Sequence, residues 1–490
     1  SLFFYPISCQ QKMVSKRKVG YKCRIAGVLL LLLASIAALV AVAVIQDKWR
    51  FKQYNLEYGI VIDSGSSRSN VYVYEWPGEK ENETGVVKQI ANCRVAGPGI
   101  SEMKVDEQKN AETWKPFKDC MDKIIQGSYS WNETPTDILS SSRLREYLSS
   151  LPFSFQNASI ITGQEEGLYG WITVNYLKGN FIEKNLWNTY ARPQGAKTVG
   201  SMDLGGASTQ IAFAVQEDLS GPDYMHVQLY GYPYNVYTHS YLCYGKNEAE
   251  KKVLDKVVQE SSDPANIINP CYPKGFTNTM NASAIYETAC TKKPPNYNPE
   301  QKLSMVGDGD SDKCGSIVKS IFDFETCSSS HCSFNNVGQP PVTGEFMAYA
   351  GFFHTAKILL LNGTSDLDQF NSSLTKFCQT QWTPKEKQGV NDAYLKSFCY
   401  SAHYVFTLLV DGYKFDKETW KNIDFQKEVK NTSIGWSLGY MLSMSNMIPS
   451  EVKELPPMTD PVFAGLIFLF SALTIVTVVI VFIILIRTCY

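Results

Sequence analysis

The sequence predicts an α/β domain of two lobes held between two membrane-spanning helices. Three observations predict it. Two loops about 140 residues apart share one residue grammar, an uncharged apolar run lies near each end, and an even set of cysteines falls between those runs.

The loops are Ile60-Val61-Ile62-Asp63-Ser64-Gly65-Ser66-Ser67-Arg68 and Met202-Asp203-Leu204-Gly205-Gly206-Ala207-Ser208-Thr209-Gln210. In each, an acid closes a strand-like run and small or hydroxyl residues follow, so backbone N–H groups can wrap a phosphate while the acid faces a metal. One Asp-x-Gly turn alone is usually a surface turn. The pair points to a nucleotide gripped between two lobes.

Residues 25–45 and 462–486 are each long enough to cross a bilayer, roughly 30 Å at helical rise. Lys12, Lys16, Arg17, Lys18, Lys22 and Arg24 precede the first run and Arg487 follows the second. That bias predicts cytoplasmic tails at 1–24 and 487–490 and a plasma-membrane protein whose segment 46–460 lies outside. Residues 1–12 read as an upstream leader, and residues 41–43 imitate a cleavage site. The apolar stretch exceeds the roughly 7–15 residues of a signal core, so a retained anchor is expected.

Of thirteen cysteines, the ten at 93, 120, 243, 271, 290, 314, 327, 332, 378 and 399 lie in the outside segment, which suits an oxidising space and five disulfides of open connectivity. Asn82, Asn132, Asn157, Asn281, Asn362, Asn371 and Asn431 each begin a glycosylation sequon there. A net charge of −2 and the absence of a basic run beyond the amino-terminal tail argue against a nucleic-acid partner.

Strands are expected at 58–63 and 71–75 around the first loop, at 159–162, and at 197–203 and 209–215 around the second. Helices are expected at 168–177, 345–361, 386–409 and 433–447, with an irregular disulfide-held stretch at 269–341. Residues 46–163, joined by 428–460, form one expected lobe and residues 164–427 the other.

Glu165 and Glu166 stand where a strand hands over to a helix; alone they would suit the helix dipole, but between two phosphate loops Glu166 becomes a candidate base. Phosphoryl transfer to water needs a positioned nucleophile, charge neutralisation and a divalent metal. Ser208 would hold the water, and Asp63 and Asp203 would hold Mg²⁺ or Ca²⁺ through its hydration shell, because hard cations favour oxygen. Ser64, Gly65, Ser66, Ser67, Arg68, Gly205, Gly206 and Ala207 would cover the phosphates. No Gly-x-x-x-x-Gly-Lys-Ser/Thr loop occurs, so a P-loop ATPase is not supported.

With these residues in hand, the chain resembles the cell-surface ectonucleoside triphosphate diphosphohydrolases, or ecto-apyrases. Their first motif matches residues 63–69, the third 160–175, the fourth 202–213 and the fifth 435–442; Tyr237-Thr238-His239-Ser240-Tyr241-Leu242-Cys243-Tyr244-Gly245 is similar to that family too. The resemblance implies an actin-like fold of two ribonuclease-H-like lobes and Ca²⁺- or Mg²⁺-dependent hydrolysis of extracellular ATP and ADP to AMP and phosphate. It implies Glu166 as base, Ser208 and Gln210 as water and phosphate ligands, and Asp63 and Asp203 in the metal's water shell. It also implies the pairs Cys93–Cys120, Cys243–Cys290, Cys271–Cys314, Cys327–Cys332 and Cys378–Cys399. For base stacking it offers Phe353 and Phe398 with Trp436 nearby, and core packing is the alternative for each.

One departure stands out. The family's second motif, Gly-Ala-Thr-Ala-Gly-Met-Arg, should follow Thr134-Pro135, yet Thr136 runs directly into Asp137-Ile138-Leu139, leaving about twenty residues absent by motif spacing. That stretch would supply a strand and a threonine near the metal and water, so weak hydrolysis or misfolding is expected of this chain. Arg68 replaces the histidine of some members and stays charged at every pH.

Residues 308–312 imitate a calcium loop, but Lys313 and Lys319 occupy the glycine and glutamate positions, which leaves a polar turn. Cys327 to Cys332 reads as a small disulfide loop rather than a zinc site. Met441, Met444 and Met447 suit packing on a helix face. Ala34, Ala38, Ala37, Ala41, Ser471, Thr474 and Thr477 offer small or hydroxyl stripes for membrane-helix contact and a homo-oligomer, although such hydroxyls often bond their own backbone. Two readings compete: an ATP-gated channel, disfavoured by membrane runs without charge, and a nucleotide-binding or adhesion ectodomain on a retired enzyme fold.

Overall fold

The computed structural model describes residues 8–50, 56–65, 68–97, 99, 111–125, 135–137, 148–149, 154–157, 159–185, 189–216, 220–359, 366–381, 395–448, 450 and 457–489. They divide into two compact units, one of residues 56–451 and one formed by 1–55 with 452–490.

In the large unit, β1 (Leu56–Ser64) turns back on β2 (Ser69–Pro77) as an antiparallel hairpin paired from Leu56↔Pro77 to Ser64↔Ser69. Then come β3 (Lys88–Arg94), β4 (Pro135–Asp137) and β5 (Ser154–Asn157). Helix α1 (Gly163–Lys178) leads to β6 (Gly200–Leu204), β7 (Ser208–Val215), β8 (Tyr224–Leu229) and β9 (Tyr232–Leu242). Helix α2 (Lys246–Gln259), β10 (Phe346–Ala350), α3 (Gly351–Ile358), β11 (Ile423–Phe425) and α4 (Trp436–Ser445) complete the frame.

The first sheet runs β3-β2-β1-β4-β5 and the second β8-β9-β7-β6-β10-β11. In both, an antiparallel trio meets two parallel strands beside its first member. Counted within each lobe the order is three-two-one-four-five, with β8 added at one edge. This is the ribonuclease-H plan, laid down twice. Ile60, Val61 and Ile62 are almost fully buried, as are Met202 and Leu204, because central strands covered on both faces need unbroken apolar runs.

Several expected elements shift. Residues 159–162 lie outside a strand: Thr162, extended at φ −71° and ψ 158°, caps α1. Its Oγ1 accepts from Glu165 N–H at 3.2 Å while the Glu165 carboxylate accepts from Thr162 N–H at 2.7 Å, so the end of the run serves the capping box. The helix expected at 345–361 divides into β10 and α3, because Phe346 to Ala350 pairs in parallel with β6 and β11, and short apolar runs read alike as buried strand or helix. The stretch expected to be irregular at 269–341 instead holds two strands, Thr277–Asn281 and Lys302–Gly307, which join Ile267–Asn269 in a three-stranded sheet, and a helix, Ser311–Lys319, capped by Asp310, which gives the acidic turn at 308–312 a structural role. Of the helix expected at 386–409 the described part is Phe398–Thr407; residues 382–394 lie outside the described residues.

The ten cysteines of the large unit form Cys93–Cys120, Cys243–Cys290, Cys271–Cys314, Cys327–Cys332 and Cys378–Cys399. Asn82, Asn157, Asn371 and Asn431 are exposed and Asn281 is half-buried, while Asn132 and Asn362 lie outside the described residues. The small unit contains apolar helical spans at Ile25–Asp47 and Asp460–Ile486. There Thr474 Oγ1 lies 3.0 Å from Ser35 Oγ, while Thr477 bonds its own helix at Leu473 O.

Candidate active site

The carboxylates of Asp63, Glu166 and Asp203 converge. Asp63 stands one residue before the end of β1, Asp203 one residue before the end of β6, and Glu166 in the first turn of α1. Each keeps some surface open, yet protein surrounds it closely enough for their charges to act on one another. Burial first, then the charges of Asp203 and Asp63, push the Glu166 carboxyl up to about 8; Gln210 opposes the rise. Burial and then Asp63 push Asp203 up to about 7, against Arg68. Burial raises Asp63 too, while the Trp436 hydrogen bond and Arg68 pull it down. Three crowded carboxylates facing one guanidinium are a hard-oxygen set suited to a divalent cation.

Both loops close alike: Gly65 N–H donates to Arg68 O and Gly205 N–H to Ser208 O, each at 3.0 Å. The first is laced further by Ser64 Oγ and Ser69 Oγ, 2.6 Å apart. Across the second, Thr209 Oγ1 donates to Asp203 O at 2.7 Å. The first turn of α2 then fixes that loop's outline, with N–H groups of Gly245, Lys246 and Asn247 on the carbonyls of Ala207, Gly205 and Gly206. Gly245 is obligatory, since a Cβ there would lie 2.3 Å from Ser208 N. Ser66 and Ser67 lie outside the described residues.

Gln210 Nε2 reaches Glu166 Oε2 at 2.6 Å, Ser208 Oγ at 2.8 Å and Ser240 Oγ at 3.0 Å. Trp436, at the start of α4, donates its indole N–H to Asp63 Oδ1 at 3.0 Å, which ties it to the acid. Phe398 is a correction: it is 2% exposed in the second-lobe core, its ring 4.5 Å from and edge-on to Phe377, and offers no free face for stacking. Phe353 is half-buried beside exposed His354 and retains that potential. Ser240 escaped the sequence reading because its partnership with Gln210 is visible only once β7 and β9 are in register.

Paired loops on a doubled ribonuclease-H plan, with a glutamate between them, define a two-lobed phosphohydrolase. Consistent with that class, the profile of the GDA1/CD39 (nucleoside phosphatase) family matches residues 50–145 and 142–457, and the chain belongs to this family. Human ectonucleoside triphosphate diphosphohydrolase 3 is 45% identical over 474 residues, covering 91% of this chain and 89% of that protein. Mouse ectonucleoside triphosphate diphosphohydrolase 1 is 37% identical over 470 residues, covering 90% and 91%. Among solved structures, a nucleoside triphosphate hydrolase of Neospora caninum aligns with a TM-score of 0.56 at 15% identity, over 83% of this chain and 95% of that one; at that identity the likeness concerns fold. The chain is thus an enzyme of the nucleoside triphosphate diphosphohydrolase type.

Proposed function

We propose that the chain hydrolyses nucleoside tri- and diphosphates, ATP and ADP among them, outside the cell. The convergence of Asp63, Glu166 and Asp203 between two identically closed loops carries this reading. The loops and Arg68 hold the phosphate chain. Glu166 accepts a proton from water as its oxygen attacks the terminal phosphorus, while the Ser208 hydroxyl and the side-chain oxygen of Gln210, which has no hydrogen-bond partner of its own among the described residues, hold that water in line. The bridging P–O bond breaks and its electron pair leaves on the shortened nucleotide, giving inorganic phosphate. A bound Mg²⁺ or Ca²⁺ would neutralise phosphate charge, and Asp63 and Asp203 would hold it through its waters. Phe353 offers a ring face to the base. The sequons and basic flanking residues support an outside ectodomain with both tails cytoplasmic at the plasma membrane.

A weaker activity than in full-length relatives, down to binding without turnover, is favoured by one observation. The two stretches matched to the family meet at 142–145, close to the missing motif. The assay is phosphate release from ATP and from ADP with Mg²⁺ or Ca²⁺ and with excess chelator. Release that needs the cation supports hydrolysis; nucleotide binding with no release at any cation concentration selects the retired-enzyme reading.

A further inference from the structure

Within the hydrolytic reading proposed above, the donor count around Gln210 leads to a residue with no role so far. The side-chain amide nitrogen carries two hydrogens, yet three oxygens stand within hydrogen-bond distance: Glu166 Oε2, Ser208 Oγ and Ser240 Oγ. Only two of these can be served at once. With one hydrogen on the carboxylate at 2.6 Å, the strongest acceptor, the second is shared between two hydroxyls.

Ser240 is built into this position. It lies directly opposite Gln210 in the β7–β9 pairing. Its side chain shares a strand face with Thr238, and both press on the first turn of α1, where Thr238 Oγ1 donates to Gln164 O at 3.0 Å. Helix and strand approach this closely because Gly163 and Gly167 stand one turn apart. A Cβ at Gly163 would lie 2.3 Å from Ser240 Cβ and 2.5 Å from its Oγ, and one at Gly167 would lie 2.3 Å from Thr238 Oγ1. The glycine pair and the hydroxyl pair thus bring Glu166 onto Gln210.

We infer that Ser240 is a positioning residue of the hydrolytic centre: by taking the second amide hydrogen of Gln210 across the strand pair, it frees the Ser208 hydroxyl to hold the attacking water. Without Ser240, that hydrogen falls to Ser208, which is then tied to Gln210 for part of the time. The effect belongs in kcat, because no phosphate contact is lost.

The test is steady-state phosphate release by the full chain carrying Ser240→Ala, Ser208→Ala, both together, or Gly163→Ala. Ser240→Ala should lower kcat roughly tenfold at unchanged KM, the lower end of what losing an outer-shell partner costs. In the Ser208→Ala background it should cost nothing further, since it acts through Ser208. Gly163→Ala, which displaces the Ser240 side chain from the opposite direction, should reproduce the loss and serves if Ser240→Ala does not fold. Unchanged kcat in the single variants, or independent losses that multiply in the double variant, overturns the inference alone. An intact chain without turnover overturns the hydrolytic reading and this inference with it.

Discussion

At the scale of single residues the site is governed by crowded negative charge. Glu166 and Asp203 hold their protons more tightly in the folded chain than in the unfolded one, with Glu166 moved from an ordinary 4.5 to about 8. Such groups add stability on the acid side and lose it as pH rises through the folded value. The melting temperature of the cation-free protein should therefore fall between pH 5 and about 8. Glu166→Gln should flatten that slope, and Mg²⁺ or Ca²⁺ should reverse part of the fall by favouring the ionised forms. A slope identical in Glu166→Gln would remove Glu166 from the account. Asp63, Asp203 and Glu166 were legible in the sequence because each closes or opens an element beside small residues. Ser240 and the role of Trp436 were not. Both depend on contacts across strands or between distant segments, and Phe398 misled because residue type cannot tell a stacking ring from a packed one.

Among elements, α4 is the one whose placement matters most to the site. Gly439 N–H donates to Thr173 Oγ1 at 2.8 Å, and a Cβ at Gly439 would come within 1.9 Å of Tyr169 O. The helix lies against the backbone of α1 and brings Trp436 onto Asp63. Gly439→Ala should cost about 2–3 kcal/mol or more through overpacking, readable as a lower melting temperature together with reduced phosphate release. Trp436→Phe keeps an aromatic ring but loses the indole N–H and part of the buried bicycle, so it should raise the cation concentration needed for half-maximal release and, separately, lower the melting temperature modestly. If cation dependence is unmoved, that hydrogen bond has no functional weight. The hairpins around both loops were legible from strand alternation and turn residues. The division of residues 345–361 into strand and helix was not, because Phe346 to Ala350 is buried by parallel neighbours supplied from residues 200–204 and 423–425.

For the whole molecule, the duplicated plan was visible as two loops with one grammar, but the matching strand order emerged only from pairing. In the first lobe the place beside β1 is taken by the three residues Pro135–Asp137, at the point where the family's second motif is absent. Inserting that motif after Thr136 should raise phosphate release by about tenfold or more, since it returns a threonine to the metal and water; no gain would mean that the shorter chain is already competent. Glycosidase digestion of protein from a secretory host should shift its mass in line with sequons exposed to the outside. No shift would contradict that orientation.

The central claim is that a carboxylate on α1 activates water against a phosphate held by two loops. It is tested most directly by measuring, on one preparation of Glu166→Gln, affinity for the cation-bound nucleotide and the rate of phosphate release. The account predicts affinity within about threefold of the unaltered chain and release lowered at least about 100-fold, the range for loss of a general base. Undiminished release would contradict it.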